Sequence, residues 1–167
     1  MRGRSKSKPD KKPTELAYDK ALSLLVRREH SARELKTKLA RRGMEAADSE
    51  KAVAELAAKD FQNDGRFGEM LVRSRLEGGY GERWIVAELR THGIAEEQAR
   101  ALVAAAEPDW TQLVRRQLQR RYGARRAASV MERDKRAGYL LRRGFDPSAV
   151  KLVTRAEGFD DTLDESD

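Results

Sequence analysis

Apolar residues recur along this chain at intervals of three and four positions, and the stripes stop at glycines. From about Glu15 to Arg28, the positions Ala17, Ala21, Leu24, Leu25 and Arg28 fall at helical spacing. Ser31-Ala32-Arg33-Glu34 then has the form of a capping box, a serine oxygen and a glutamate carboxylate each taking an orphan N–H at a helix start. The helix it opens carries Leu35 and Leu39 inward and ends at Gly43. A third helix, roughly Ala46 to Ala58, presents Ala52, Val53 and Leu56. Each of these helices is too short to hold in water alone and has one apolar stripe, so the three must pack on one another.

The same sequence of events comes twice more. Asn63-Asp64-Gly65 lacks the alternating flanks of a hairpin, so Asp64 is expected as a helix N-cap. The helix after it buries Phe67, Leu71 and Met70, and Gly78-Gly79-Tyr80-Gly81 breaks it. Glu82 to His92 follows with Ile85 and Leu89 in the places of Leu35 and Leu39, and Ala95 to Ala106 closes the copy before Pro108. The third copy opens near Trp110 with Leu113, Val114, Gln117 and Leu118, and Tyr122-Gly123 repeats the break of Tyr80-Gly81. Its middle helix is expected to be longer, or to follow a longer loop around Ala124–Ala128. The last helix starts at Asp146 as N-cap with Pro147 at the first position, and carries Val150 and Val153.

The strongest regularity is the stop itself. Leu39-Ala40-Arg41-Arg42-Gly43-Met44, Leu89-Arg90-Thr91-His92-Gly93-Ile94 and Leu140-Leu141-Arg142-Arg143-Gly144-Phe145 share one form, at a period of about fifty residues. With glycine in the left-handed conformation past the helix end, the leucine and the residue after glycine are the apolar pair of a Schellman cap. The Arg or His before each glycine stands where the helix dipole favours a cation. The fold expected is therefore all-α, three tandem three-helix repeats forming an elongated curved array. Residues 15–59, 60–107 and 108–156 are the repeats, residues 1–14 a disordered basic arm and 157–167 a disordered acidic tail.

Composition narrows the function. Charged residues make up 38% of the 167 and aromatics 6%, so the core must be thin and aliphatic. There is no cysteine, hence no disulfide, thiolate nucleophile or zinc finger. No apolar run is long enough to span a membrane, and the basic start lacks an apolar core of a signal peptide, so a soluble cytoplasmic protein is expected. His30 and His92 have no partner at ligand spacing, and His92 replaces Arg42 and Arg143 beside a cap glycine. Asp160, Asp161 and Asp164 sit in a tail without the rigid frame a magnesium site needs. No phosphate-binding glycine loop is present. The expectation is no enzyme, no catalytic residue, no cofactor and no metal.

The net charge of +7 is unevenly placed. Residues 108–155 carry thirteen basic against four acidic groups, whereas the chain from 156 on has six acids and no base. Arg115, Arg116, Arg120, Arg121, Arg125 and Arg126 lie within twelve positions, followed by Arg133, Arg136, Arg142 and Arg143. Arg116 and Arg120 share a helix face. Guanidinium forks suit phosphate or carboxylate partners, so these ten arginines are the candidate contacts with a polyanion or an acidic protein surface. A merely solvated face is the alternative. The six tail acids either are dispensable or shield this ridge.

Asp60-Phe61-Gln62-Asn63-Asp64-Gly65-Arg66-Phe67 and Val72-Arg73-Ser74-Arg75-Leu76-Glu77-Gly78-Gly79-Tyr80-Gly81 resemble the RecX family, bacterial regulators of the RecA recombinase. Ile85, Ala87-Glu88-Leu89-Arg90, Gly93-Ile94 and Leu140-Leu141-Arg142-Arg143-Gly144-Phe145 extend the resemblance over about residues 17–155. Where the family has an acid-rich lead-in before Phe67, this chain has Asn63-Asp64-Gly65-Arg66, a departure that bears on how that helix starts. A monomer is expected, and the resemblance implies three tandem three-helix repeats and a protein that binds RecA in the groove of the RecA–DNA filament. It also implies restraint of strand exchange, ATPase and SOS co-protease activity in DNA repair and recombination, and supplies no catalytic residue. The second hypothesis is a helical module that binds single- or double-stranded DNA directly through the arginine ridge.

Overall fold

A computed structural model describes residues 11–156. The basic arm up to residue 10 and the acidic tail from residue 157 lie outside the described residues. Among those described, every regular element is a helix: α1 Pro13–Leu25, α2 Ala32–Ala40, α3 Ala46–Ala58, α4 Asp64–Glu77, α5 Glu82–Thr91, α6 Glu96–Ala105, α7 Trp110–Tyr122, α8 Val130–Arg142 and α9 Pro147–Ala156. The chain divides into two compact units, residues 1–67 and 68–167.

In the first unit Ala17, Ala21 and Leu24 of α1 meet Leu35 and Leu39 of α2 and Ala52, Val53 and Leu56 of α3 in one aliphatic core. Small residues on α1 let α3 lie close along it. The helix begins at Pro13, two residues before the expected Glu15, because proline fits the first turn, where no N–H is needed. Thr14 Oγ1 donates to Asp48, tying that turn to α3. The helix ends at Leu25, so Arg28 is exposed rather than on the inward stripe. Ser31 caps α2, its Oγ accepting from Glu34 N at 3.0 Å.

The start of α4 corrects the sequence reading. Asn63, not Asp64, is the cap: its Oδ1 accepts from Gly65 N at 2.8 Å and Arg66 N at 3.1 Å. Asp64 turns its carboxylate to the α1–α2 loop, where Oδ1 accepts from Ala32 N at 2.9 Å and Gln62 Nε2 at 2.8 Å. Gln62 also donates to His30 O at 3.2 Å, and Arg66 joins Glu29 at 2.8 Å and Asp60 at 2.9 Å. A polar knot thus fixes the loop after α1 against the loop after α3. His30, 2% exposed, places Nδ1 3.0 Å from Arg28 O and Nε2 2.9 Å from Lys38 Nζ. That arrangement suits a neutral ring donating through Nδ1 and accepting through Nε2. Burial pushes its pKa down, against the carbonyl of Arg28 and the carboxylate of Glu34, which push it up.

The second unit holds α5 to α9 and the greater part of α4. Ile85, Val86 and Leu89 of α5 are buried, as are Ala99 and Val103 of α6. Val114 and Leu118 of α7, Leu140 of α8, Phe145, and Val150 and Val153 of α9 form one core, with the Trp110 and Phe145 rings edge to face at 6.3 Å. Both explanations for the wider third copy hold together. The loop runs from Gly123 to Ser129, and α8 has 13 residues against 10 in α5.

The repeated stop is a Schellman cap in all three places. Gly43, Gly93 and Gly144 have φ of 77°, 90° and 85°. Met44, Ile94 and Phe145 each donate their N–H to the carbonyl of Leu39, Leu89 and Leu140, and the glycine N–H reaches one residue further along, the 6→1 and 5→2 bonds of the motif. Two further helices end the same way. Gly79, φ 74°, closes α4 with Tyr80 N bonded to Arg75 O, and Asp60, φ 57°, closes α3 with Phe61 N bonded to Leu56 O. Aspartate tolerates this conformation better than most residues, and here its carboxylate is held by Asn63 and Arg66.

Candidate partner-binding surface

Asp109 opens α7, its carboxylate accepting from Gln112 N at 2.9 Å. Val114, Gln117 and Leu118 then take the inward face, which leaves Arg115, Arg116, Arg120 and Arg121 exposed. None of these four forms an ion pair with a described carboxylate. Arg116 donates to Gln112 Oε1 at 2.7 Å, and Arg120 lies 3.5 Å from the carbonyl of Glu77. Arg121 lies over the Tyr139 ring at 4.4 Å. In the loop that follows, Arg125 meets Glu132 at 3.3 Å, and Arg126 is exposed with no described partner. Val130 and the 81%-exposed Met131 stand beside them. Arg133 is half-buried and Arg142 exposed, both without a described carboxylate.

Two of the ten arginines belong to the framework instead. Arg136 is 1% exposed, the largest fully buried side chain among the described residues. It donates to Arg125 O at 2.9 Å and to Glu132 Oε1 at 2.8 Å, with its guanidinium 4.7 Å from the Tyr122 ring centre. Glu132 in turn accepts from Ala128 N at 2.9 Å. That N–H, followed by Arg136 and Arg125, lowers its pKa to about 2. The pair closes the long α7–α8 loop, so Arg136 is removed from the set of surface contacts.

Arg143 is half-buried and clamps the end of α4. Its Nε donates to Gly79 O at 2.8 Å and its Nη2 to Gly78 O at 2.6 Å, where the last carbonyls of a helix carry negative partial charge. The same guanidinium covers the Tyr80 ring at 4.2 Å, Tyr80 stacks on Trp84 at 4.1 Å, and Arg75 closes the stack while holding Glu88 at 2.6 and 2.7 Å. Sequence reading took Tyr80-Gly81 as a break and missed this ladder. The signal available was an aromatic before each break glycine, Tyr80 and Tyr122, within reach of arginine.

A hollow of about 450 Å³ lies between α4 and α6 over Val72, Leu76 and Leu102, rimmed by Glu69, Arg73 and Glu77. It holds no pairing of nucleophile and base. Among the described residues no cluster of His, Asp or Glu has the grouping of a metal site, and no helix is long and apolar enough to cross a membrane.

Residues 17–56, 63–102 and 107–153 match, in order, the first, second and third three-helix domains of RecX. The chain belongs to the RecX family. The regulatory protein RecX of Xanthomonas campestris pv. campestris (strain B100) is 43% identical over 136 residues, which is 81% of this chain and 84% of that protein. RecX of Stenotrophomonas maltophilia (strain R551-3) is likewise 43% identical, over 81% and 83%. The crystal structure of RecX from Lactobacillus salivarius superposes with a TM-score of 0.68, covering 87% of this chain and 96% of that one. A second RecX crystal structure gives 0.73 over 86% and 72%. At 20% identity these two speak for the fold alone. The RecX matches fall on the three repeats marked by the cap glycines. The relatives it matches are named as regulatory proteins.

Proposed function

We propose that this RecX-family chain regulates the RecA recombinase, mainly as an inhibitor, by binding the RecA–DNA filament and restraining strand exchange, ATPase and co-protease activity. The three repeats, 15–59, 60–107 and 108–156, serve as the binding body, and the third carries the main contact. One observation supports this most: Arg115, Arg116, Arg120, Arg121 and Arg126 are exposed together without a described carboxylate. The first unit pairs Arg28–Glu34, Lys36–Glu50, Lys59–Glu55 and Arg66–Asp60, and its exposed Arg27, Arg33, Arg41 and Arg42, without a described carboxylate, are not gathered along one helix as those of α7 are. Cations left without partners in a folded protein are available to an anionic surface.

The same observation favours a second reading, direct binding of DNA phosphates by the α7 arginines. Binding to bare and to RecA-coated DNA across a salt series separates the two. Four direct phosphate contacts give a steep log–log slope, which Arg115→Gln, Arg116→Gln, Arg120→Gln and Arg121→Gln together should flatten by about three to four. A surface that recognises the protein filament instead binds bare DNA weakly throughout, and the fourfold variant loses affinity for the coated strand alone. Parental binding to both strands by the variant would overturn both readings.

A further inference from the structure

The loop between α7 and α8 is held more firmly than an exposed connection needs. Arg136, 1% exposed, donates to Arg125 O at 2.9 Å and to Glu132 Oε1 at 2.8 Å. Glu132 also accepts from Ala128 N at 2.9 Å, and Ser129 Oγ accepts from Glu132 N at 3.1 Å. Taking a guanidinium out of water is costly even when it is paired. A serine cap and a buried ion pair thus set the conformation of loop 123–129. What they hold outward are the side chains of Arg125, Arg126, Val130 and Met131, all exposed.

Val130 is 62% and Met131 81% exposed, the two most open large apolar side chains among the described residues of the second unit. Single exposed apolar residues are ordinary on a protein surface. Here two stand side by side at the end of a pinned loop, next to two arginines. Contacts to a phosphate backbone need charge and hydrogen bonds, which neither valine nor methionine supplies. Protein interfaces, in contrast, are enriched in methionine and arginine and depleted in lysine. The stretch 123–131 has that composition, two arginines and a methionine with no lysine and no acid. The flexible thioether of Met131 can follow the shape of what it meets. Glu132, the acid next in the chain, is already taken by Arg136, Arg125 and the Ala128 amide, so the tip is cationic and its complement is acidic.

We infer that this tip is a protein-docking site whose occupant is an acidic segment of a partner protein. The segment lays an apolar side chain on Val130 and Met131 and sets its carboxylates against Arg125 and Arg126. Because loop 123–129 is ordered beforehand, little conformational entropy opposes the contact. That the segment belongs to a RecA-coated strand rests on the reading of the third repeat above; the docking itself does not.

Fluorescence anisotropy of the full chain with three labelled probes tests the docking without RecA. The probes are a short peptide of Asp and Glu with two leucines at i and i+4, the same peptide with serines for the leucines, and a single-stranded oligothymidylate of equal charge. The leucine peptide should bind about tenfold more tightly than its serine counterpart, the effect of one interface anchor. Val130→Ser with Met131→Ser should abolish that preference with an unchanged circular dichroism spectrum, since both positions are exposed, whereas Met131→Leu should keep it. Equal binding of the two peptides to the parental chain would overturn the inference, as would a preference that survives the double substitution. Oligothymidylate binding that falls in the double variant would overturn it too, and would assign the tip to nucleic acid. A parental chain that shows the peptide preference but does not bind RecA-coated DNA would sink the RecA reading and leave the docking in place.

Discussion

A Cβ at Gly81 would stand 2.2 Å from the carbonyl carbon of Gly144, and one at Gly144 would stand 2.4 Å from the Trp84 nitrogen. Gly81 has an ordinary φ of −87°, so it is glycine for reasons of space, whereas Gly144 at 85° needs both space and conformation. The backbones touch because Gly81 N donates to Arg143 O at 2.8 Å and Arg83 N to Gly144 O at 3.1 Å. Gly43 has the left-handed φ with nothing within 4 Å of the added carbon. Three substitutions therefore separate the effects in urea unfolding. Gly43→Ala should destabilise by about 1 kcal/mol, the conformational cost alone. Gly81→Ala and Gly144→Ala should each cost about 2–4 kcal/mol, since rigid backbone cannot give way to the new carbon. Equal losses at all three would mean that the joint relaxes.

Among the elements, α7 and α8 carry arginines of opposite fate. On α7 the exposed four make no ion pair with a described carboxylate, so changing them to glutamine keeps helix propensity and should shift the melting temperature by no more than a degree or two. Arg136 on α8 is different. Arg136→Ala opens a cavity, frees the Arg125 carbonyl and strips a partner from Glu132, and should cost about 2 kcal/mol or more, read as a melting point several degrees lower. A neutral outcome there would return Arg136 to the surface set. Loop 123–129 is the region that should exchange faster in this variant, because Arg136 and Glu132 are what hold it.

For the whole molecule, pH is the cleanest probe. His30 has a pKa below its ordinary value of 6.5, chiefly through burial, so its contribution is complete above 6.5 and is lost as pH falls, when the unfolded chain takes up a proton first. Its ring faces Glu34, Lys38 and Arg28, and Glu34 stays ionised because Arg28 and Lys38 outweigh its burial. Denaturant titrations between pH 7.5 and 5 should show stability falling, with a smaller fall in His30→Gln. Glu132, depressed from 4.5 to about 2, contributes fully above 4.5 and loses that contribution as pH drops towards 2. Glu132→Gln should flatten that acid limb while leaving the limb near pH 6 unchanged.

The helices, their stops and the threefold repeat were legible in the sequence because each depends on neighbours within about five residues. An apolar stripe, a serine or proline at a helix start and a glycine after a leucine act through contacts that sequence spacing reports directly. Ser31, Pro147 and the three cap glycines accordingly stand where the chain alone placed them. The fate of the polar groups was decided by partners far along the chain. Arg143 is bound to carbonyls 64 and 65 residues away, Asp64 to an amide 32 away, and Arg136 is buried by a loop that folds back on it. Spacing cannot distinguish a guanidinium that faces water from one that satisfies a helix end, since both lie on the polar side of a stripe. Tertiary packing makes that choice, because it alone brings an unsatisfied carbonyl or an aromatic face within reach.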